Sequence, residues 1–469
     1  MAAPDQRLIV DVSTLIRWRG APVGIVRVEA EIARFVLERE PDVVFSVYDT
    51  RIGQFRTLDR DIARQLVEGR ATVDTGPLID PRPMRSRVRK LLAPIEHSLR
   101  PLLRLPRTLA CWLDERRQQL PQGGLRRFVA ACADRLFGRK MLAQAIGPGG
   151  VRRNWYRLAT ALGPIVQLNP GDTMLSPGFD WSNKDAASLA EIKARTGFRL
   201  VALCYDLIPI KFPQFYQARD VDVFTRYFRA AILFTDRFIA ISQQTATDLI
   251  DFAQAHGCQS LDVRTERLGV DTAPVADTAV PLPPGLEAGR FVLFVSTIEP
   301  RKNHALLLRV WKRLAAGEQG GTAGCKLVFA GRRGWMVDDL FAAMAADPVL
   351  ARDVVHVAAA SDEQLAALYR CARFCVYPSL YEGFGLPVIE AFAHGKTAVV
   401  SSSGSLPEAA GGLVSCLDPD DDDAWVAAIG RRLNDPAIVA EEERRVAAGF
   451  AWPSWPAAAA SIIALARKR

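Results

Sequence analysis

Histidine is scarce in this chain. Five occur in 469 residues, at positions 97, 256, 304, 356 and 394, so chemistry built on paired acid–base histidines has little to draw on. Cysteine is sparse too, with eight residues at 111, 132, 204, 258, 325, 371, 375 and 416. The closest pair, Cys371 and Cys375, falls where a helical pattern runs into a strand pattern, and neither a second pair nor a histidine cluster completes a zinc site. The thiols are expected to be reduced and structural. No uninterrupted apolar run reaches the roughly 18 residues of a membrane-spanning helix. The start, MAAPDQRLIV, lacks the basic and then apolar regions of a signal peptide. A cytoplasmic protein is the expectation. Nor does an Asp-x-Asp pair sit at a strand end in a way that suggests a metal. The run Asp418, Asp420, Asp421, Asp422 and Asp423 reads as a solvated loop and helix start, where aspartate is favoured. No metal and no other cofactor is expected.

What is present is an ordinary globular composition, 49 % hydrophobic and 24 % charged. The length suggests two or three domains. The formal charge of +8 is unevenly spread. Residues 82–157 hold 18 Lys and Arg against 4 Asp and Glu, an excess of +14 that leaves −6 for the remainder. Arginine and lysine are interleaved there with Leu, Trp and Phe, and prolines 94, 101, 106 and 121 break the segment into short helical pieces. It reads as an insertion, about 80–157. An anionic membrane surface is a candidate partner for it, and a solvated helical insertion is the plainer reading. No recognised nucleic-acid module accompanies the charge, so no nucleic-acid partner is expected.

Outside that segment the pattern is α/β. Residues 7–12 and 43–48 look like strands, separated by a loop with Gly20, Pro22 and Gly24 and by apolar residues at helical spacing over 25–37. Strands follow at 173–175, 199–204 and 237–241, with helices at 185–195 and 221–235. The Pro- and Ala-rich stretch 271–289 suits a linker. A second series places strands at 291–295, 326–330, 354–357, 374–377 and 398–401, with helices at 305–315, 362–371 and 387–394. Alternation of this kind implies parallel sheets with helices on both faces. Two series imply two Rossmann-like domains facing an interdomain cleft, over 1–275 and 285–445, with a C-terminal helix at 446–469 packing back toward the first.

The chemistry concentrates in YPSLYEGFGLPVIE, residues 377–390. A buried strand runs into a loop loosened by Gly383 and Gly385, and Pro387 suits the first turn of a helix. Such a loop brings backbone N–H groups close to a ligand, and the helix start favours phosphate or a hydroxyl-rich group. Glu382 and Glu390 are carboxylates suited to accepting hydrogen bonds from sugar hydroxyls. Two glutamates eight apart also arise by chance, and Glu390 alone would serve a helix start; the whole string is more specific. On a second strand-to-helix loop, PRKN supplies Arg301 and Lys302. Fixed cations there suit negative charge on a ligand, and a lone Lys–Arg pair is equally read as a solvated loop. Gly331 and Arg332 open the GRRGW turn after a further strand, which reads as lining the nucleotide side or as a basic surface turn.

These strings resemble the retaining GT-B glycosyltransferases usually grouped as family 4, whose hallmark is an E-x7-E segment. The likeness runs through STIEPRKNHALLL, LVFAGRRGW, YPSLYEGFGLPVIEAFAHG and SLPEAAGG, and more weakly through DVSTLIRWRGAPVGIVRVE, YDLIPIKFP and FIAISQQTATDL. The resemblance implies that Glu390 holds the ribose and that Glu382, with Gly383, Phe384, Gly385 and Leu386, holds the donor sugar. Lys302 would neutralise the diphosphate, with Arg301 as a second candidate. Gly24 and Arg27 would belong to a loop approaching the diphosphate and acceptor. Two departures stand out. Thr297 occupies the place where many relatives carry arginine, and Tyr205–Asp206 stands where many carry a histidine before the aspartate. Asp206 and Tyr205 are then candidates for the sugar or acceptor.

The implied activity is transfer of a hexose from a nucleotide diphosphate sugar, GDP-mannose as first choice, with retention and without metal. The acceptor would be a glycan or polyprenyl-linked glycan in surface-polysaccharide synthesis, and the enzyme would be cytoplasmic or peripheral on the inner face of the plasma membrane. The alternative is a catalytically silent GT-B module that holds a nucleotide sugar or a protein partner.

Overall fold

The structure, a computed structural model, describes residues 7–18, 24–74, 154–271 and 280–468. All but the last four residues of the expected insertion, together with Gly20, Pro22 and residues 272–279 of the expected linker, lie outside the described residues. Contacts divide the chain into two compact units, Ile9–Gln167 and Leu168–Arg469 with Met1–Leu8.

In the first unit, β1 (Leu8–Asp11) pairs in parallel with β2 (Val44–Asp49). The crossover is the helix Ile25–Arg39, whose Val28, Ile32 and Val36 recur on one buried stripe. Gly24, with φ 54°, precedes the helix. It is exposed, and Arg27 in the first turn is half-buried. The sheet departs from an all-parallel pattern at β3 (Gln54–Leu58), which runs antiparallel to β2. Only four residues separate these strands, too few for a crossover helix, so the chain reverses in a hairpin. β4 (Ala71–Asp74) pairs in parallel with β5 (Asn154–Arg157), and β6 (Leu162–Ile165) lies antiparallel to β3.

The second unit opens with β7 (Thr173–Ser176), β8 (Arg199–Cys204), β9 (Arg237–Ala240) and β10 (Val263–Thr265), all parallel neighbours in that order. The helix Ala186–Thr196 shows how local chemistry sets the boundaries: Asp185 accepts from Ser188 N at its start, and Gly197 takes a left-handed conformation at its end. A six-stranded parallel sheet follows, formed by β11 (Phe291–Val295), β12 (Lys326–Ala330), β13 (Val354–Val357), β14 (Phe374–Tyr377), β15 (Ala398–Ser401) and β16 (Cys416–Leu417). Their order is β13-β12-β11-β14-β15-β16. The winding direction reverses between β11 and β14, and such a switch point opens a crevice at the carboxyl ends of its strands. The closing helix, Trp455–Arg467, offers its last carbonyls to the first series: Arg199 donates to Ala466 O (2.6 Å) and Arg237 to Leu465 O (2.8 Å).

Asp421 caps the helix Asp422–Asn434, while Asp422 and Asp423 pair with Arg309 and Arg313. The aspartate run is therefore a helix start tied down by arginine. Among the described residues no helix is long and apolar enough to cross a membrane, no group of His, Cys, Asp and Glu has the makings of a metal site, and the cysteines are free thiols.

Candidate active site

The two motif loops leave the two strands that flank the switch point. After β11 the chain makes the turn Pro300–Lys302, and Asn303 adopts a left-handed conformation (φ 58°). Its side-chain amide donates to Pro378 O (3.2 Å) and Pro419 O (3.0 Å), which pins this loop beside those that follow β14 and β16. The strain at a non-glycine residue is thus held by two hydrogen bonds. After β14, Leu380 N donates to Arg301 O (2.8 Å).

Three side chains converge there. Arg301 donates to Glu382 Oε2 (2.8 Å), to Glu299 Oε1 (2.6 Å) and to the Tyr381 carbonyl (2.5 Å). Lys302 Nζ donates to Glu382 Oε1. The side chains of Arg301, Lys302 and Glu382 are only 11 %, 13 % and 12 % exposed, so their charges interact through little water. Burial alone would raise the Glu382 carboxyl; the fields and hydrogen bonds of Arg301 and Lys302 outweigh it and hold the group down at about 2. Glu382 is therefore ionised throughout the working range. Behind the cluster, burial, reinforced by Lys302, pushes His304 down to about 3, so this ring is neutral. It packs on Phe294 and Phe329 as a core residue.

The remaining residues of the string have their own partners. Gly383 is wedged against the first series. A Cβ at this position would stand 2.4 Å from Tyr205 O and 2.8 Å from Asp206 Cβ. Gly383→Ala should therefore lower stability by about 1–3 kcal/mol and cut turnover with it; a melting temperature equal to wild type would contradict this fit. Phe384 is buried edge-on against Trp452. Gly385 (φ 94°) precedes the helix Leu386–Ala393, which Leu386 opens. Glu390 lies on that helix, where its carboxylate accepts from Tyr369 OH (3.0 Å). At the end of β12, Gly331 (φ 149°) lies so close to the loop after β11 that a Cβ would meet Ser296 O at 2.0 Å. Arg332 beside it is exposed. Trp335, further along the same turn, donates through Nε1 to Phe215 O (2.7 Å).

Asp206, half-buried beside Gly383, accepts from Ile208 N (3.0 Å), and burial pushes its carboxyl up against the opposing pull of Arg301. Tyr205 is buried, with its hydroxyl on Pro177 O. Gly24 and Arg27 belong to the other unit. Several neighbours carried no sequence signal: Glu299 behind Arg301, Tyr369 on Glu390, and Tyr216, whose phenol is raised by burial and opposed by Arg301. The Glu408 carboxylate accepts from the N–H groups of Gln243 (2.8 Å) and Gln244 (2.7 Å), the first turn of the helix Gln243–Ala255.

The fold is GT-B. An UDP-forming α,α-trehalose-phosphate synthase from Burkholderia xenovorans superposes with a TM-score of 0.51 at 14 % identity, over 64 % of this chain and 75 % of that one. The trehalose-6-phosphate synthase OtsA gives 0.50 at 13 %, over 64 % and 73 %. Residues 284–449, which carry both motif loops, match the family model described as glycosyl transferases group 1.

Among curated proteins, the chain is 37 % identical over 145 residues to O-antigen chain mannosyltransferase B of Escherichia coli, 31 % of this chain and 37 % of the relative. It is 41 % identical over 110 residues to an MMP alpha-(1->4)-mannosyltransferase of Mycolicibacterium hassiacum, 22 % and 27 % of the two chains. A third match, the serotype-specific mannosyltransferase WbdA of Escherichia coli, is 27 % identical over 273 residues, 55 % and 32 %. The chain thus spans between about a quarter and two fifths of the length of these relatives.

Proposed function

We propose that this chain is a retaining, metal-independent glycosyltransferase that moves a hexose from a nucleotide diphosphate sugar, GDP-mannose first, to a glycan or polyprenyl-linked glycan in surface-polysaccharide synthesis. The observation that carries the reading is the convergence of Arg301, Lys302 and Glu382 from two loops at the switch point of the 291–417 sheet. Mannosyltransferases among the relatives support the sugar.

In this reading Lys302 and Arg301 meet the charge that develops on the departing diphosphate, which makes a divalent ion unnecessary. Glu390, oriented by Tyr369, receives the ribose hydroxyls. Glu382 accepts from the donor-sugar hydroxyls. A carboxylate held by two cations is a weak nucleophile, which favours delivery of the acceptor on the leaving-group face, with the departing phosphate taking the acceptor proton. In the same reading Gly331 and Arg332 border the nucleotide side, and Tyr205 and Asp206 the acceptor side.

The test is a panel of nucleotide sugars scored for acceptor-dependent nucleotide release, with the anomeric configuration of the product read by NMR. Binding without turnover on any lipid-linked or glycan acceptor would favour a silent module. The basic segment 82–157 would dock on anionic lipid at the cytoplasmic face. The protein should then sediment with vesicles of anionic lipid at low salt and be released at high salt; no sedimentation at low salt would remove the membrane from the proposal.

A further inference from the structure

We infer that Ser242, Thr245 and Asp248, together with Lys211, are positioning residues that set the loop carrying Glu382, so that they act on the sugar end of the donor and not on its nucleotide end. The inference rests on the sugar-transfer reading above. Its starting point is a spacing: residues three apart fall on one face of a helix, and these three occupy the start of the helix Gln243–Ala255.

That face is polar, yet it is buried, with Ser242 4 %, Thr245 1 % and Asp248 8 % exposed. Buried polar groups need partners, and here the partners include the two residues that flank Glu382. On one side, the Gly383 carbonyl accepts from Ser242 Oγ (2.7 Å) and Thr245 Oγ1 (3.1 Å). Ser242 Oγ also accepts from Thr245 N (3.0 Å) and lies 3.1 Å from Thr245 Oγ1, which in turn reaches the Tyr205 carbonyl (3.2 Å). On the other side, Tyr381 OH donates to Asp248 Oδ2 (2.6 Å) and accepts from Lys211 Nζ (2.9 Å). Lys211 Nζ closes the triangle on Asp248 Oδ1 (2.6 Å), where Gln244 Nε2 also donates (3.0 Å). Burial, aided by Asp248, pushes the Tyr381 hydroxyl up to about 12, so it remains a donor.

Between these two fixed points the Glu382 carbonyl accepts from Ser405 N and Ser405 Oγ (both 3.0 Å). The backbone that presents Glu382 is therefore anchored at three consecutive residues, two of them from elements of the first α/β series. Arg301 reads the same anchor through the Tyr381 carbonyl. The nucleotide end lies on other supports: Glu390 is held by Tyr369, which belongs to the second series. Misplacement of a sugar-binding carboxylate by a fraction of an ångström costs rate far more than it costs nucleotide affinity.

The experiment compares wild type with Tyr381→Phe, which keeps the ring, and Thr245→Val, which keeps the volume, and uses Thr245→Ser as the conservative rescue. GDP and GDP-mannose, with UDP and UDP-glucose as a second pair, are titrated calorimetrically, and kcat and KM are measured for the turned-over donor. Expected are nucleoside diphosphate Kd values within about twofold of wild type, a fall of about tenfold in kcat for Tyr381→Phe and Thr245→Val, a matching loss of the extra affinity conferred by the sugar, and recovery in Thr245→Ser. Equal losses for GDP and GDP-mannose, in step with a lowered Tm, would mean general support of the fold and overturn the positioning role. Unchanged kcat in both variants would overturn it as well. A wild-type protein that binds neither donor pair overturns the donor reading beneath it, an outcome distinct from variant failure because it shows in the first titration.

Discussion

Lys302→Ala should lower kcat by about two to three orders of magnitude, the usual cost of removing one preorganised donor from a site of developing negative charge, and should leave the fold intact. The second half of that expectation comes from geometry. Glu382 keeps its 2.8 Å bond to Arg301 when Lys302 is gone, so its charge is not orphaned in the interior. The effect should therefore fall on the chemical step and appear as a Tm within a few degrees of wild type beside a collapsed turnover. Lys302→Arg should not restore full activity, since a planar fork cannot take the place of a compact ammonium. Steady-state kinetics at saturating nucleotide sugar decide the matter, and turnover unchanged in Lys302→Ala would remove Lys302 from the diphosphate.

Arg301→Met should have the opposite profile, a large loss of stability with a signature in pH. Arg301 joins Glu299, which is 5 % exposed, to Glu382, and breaking a buried pair by deleting one partner typically costs about 3–5 kcal/mol. The sign with pH follows from Glu382. Its folded pKa of about 2 lies below its ordinary value of 4.5, so its contribution is fully present above pH 4.5 and is lost as pH falls toward 2. At about 1.4 kcal/mol per unit the contribution is of the order of 3 kcal/mol. The difference between wild type and Arg301→Met should accordingly be wide at pH 7 and narrow at pH 3. Urea unfolding at the two pH values measures it, and a gap of the same size at both would show that Arg301 does not hold the carboxylate ionised.

Much of the second unit is legible in local pattern. The strands at 199–204, 291–295, 326–330, 354–357, 374–377 and 398–401 follow from apolar runs bounded by turn residues, and the structure has them at those positions. The Tyr377–Glu390 string declares its strand, loop and helix because glycine and proline leave few alternatives. What the sequence hides is pairing over distance. That Glu382 is gripped by Arg301 and Lys302 depends on loops 80 residues apart meeting at the switch point. Lys211 reaches Tyr381 across 170 residues, and no periodicity records that. Tyr205 stands where the resembled family often has a histidine, yet its hydroxyl is bound to a buried carbonyl, a fact of packing that its neighbours in sequence do not express. The β2–β3 hairpin was hidden for a different reason: a strand reads alike whichever way its partner runs.

Glu408 has a consequence for inhibition. Its carboxylate caps the helix Gln243–Ala255 by accepting from two first-turn N–H groups, the place where a helix ordinarily welcomes phosphate. Glu408 thus occupies two of the N–H groups that a free anion would otherwise meet at this helix start. Simple oxyanions such as sulfate and phosphate should compete at the Arg301–Lys302 pair and gain nothing from this helix. On the donor reading proposed above, selectivity for a diphosphate over a lone anion would rest on the Arg301–Lys302 pair and not on this helix.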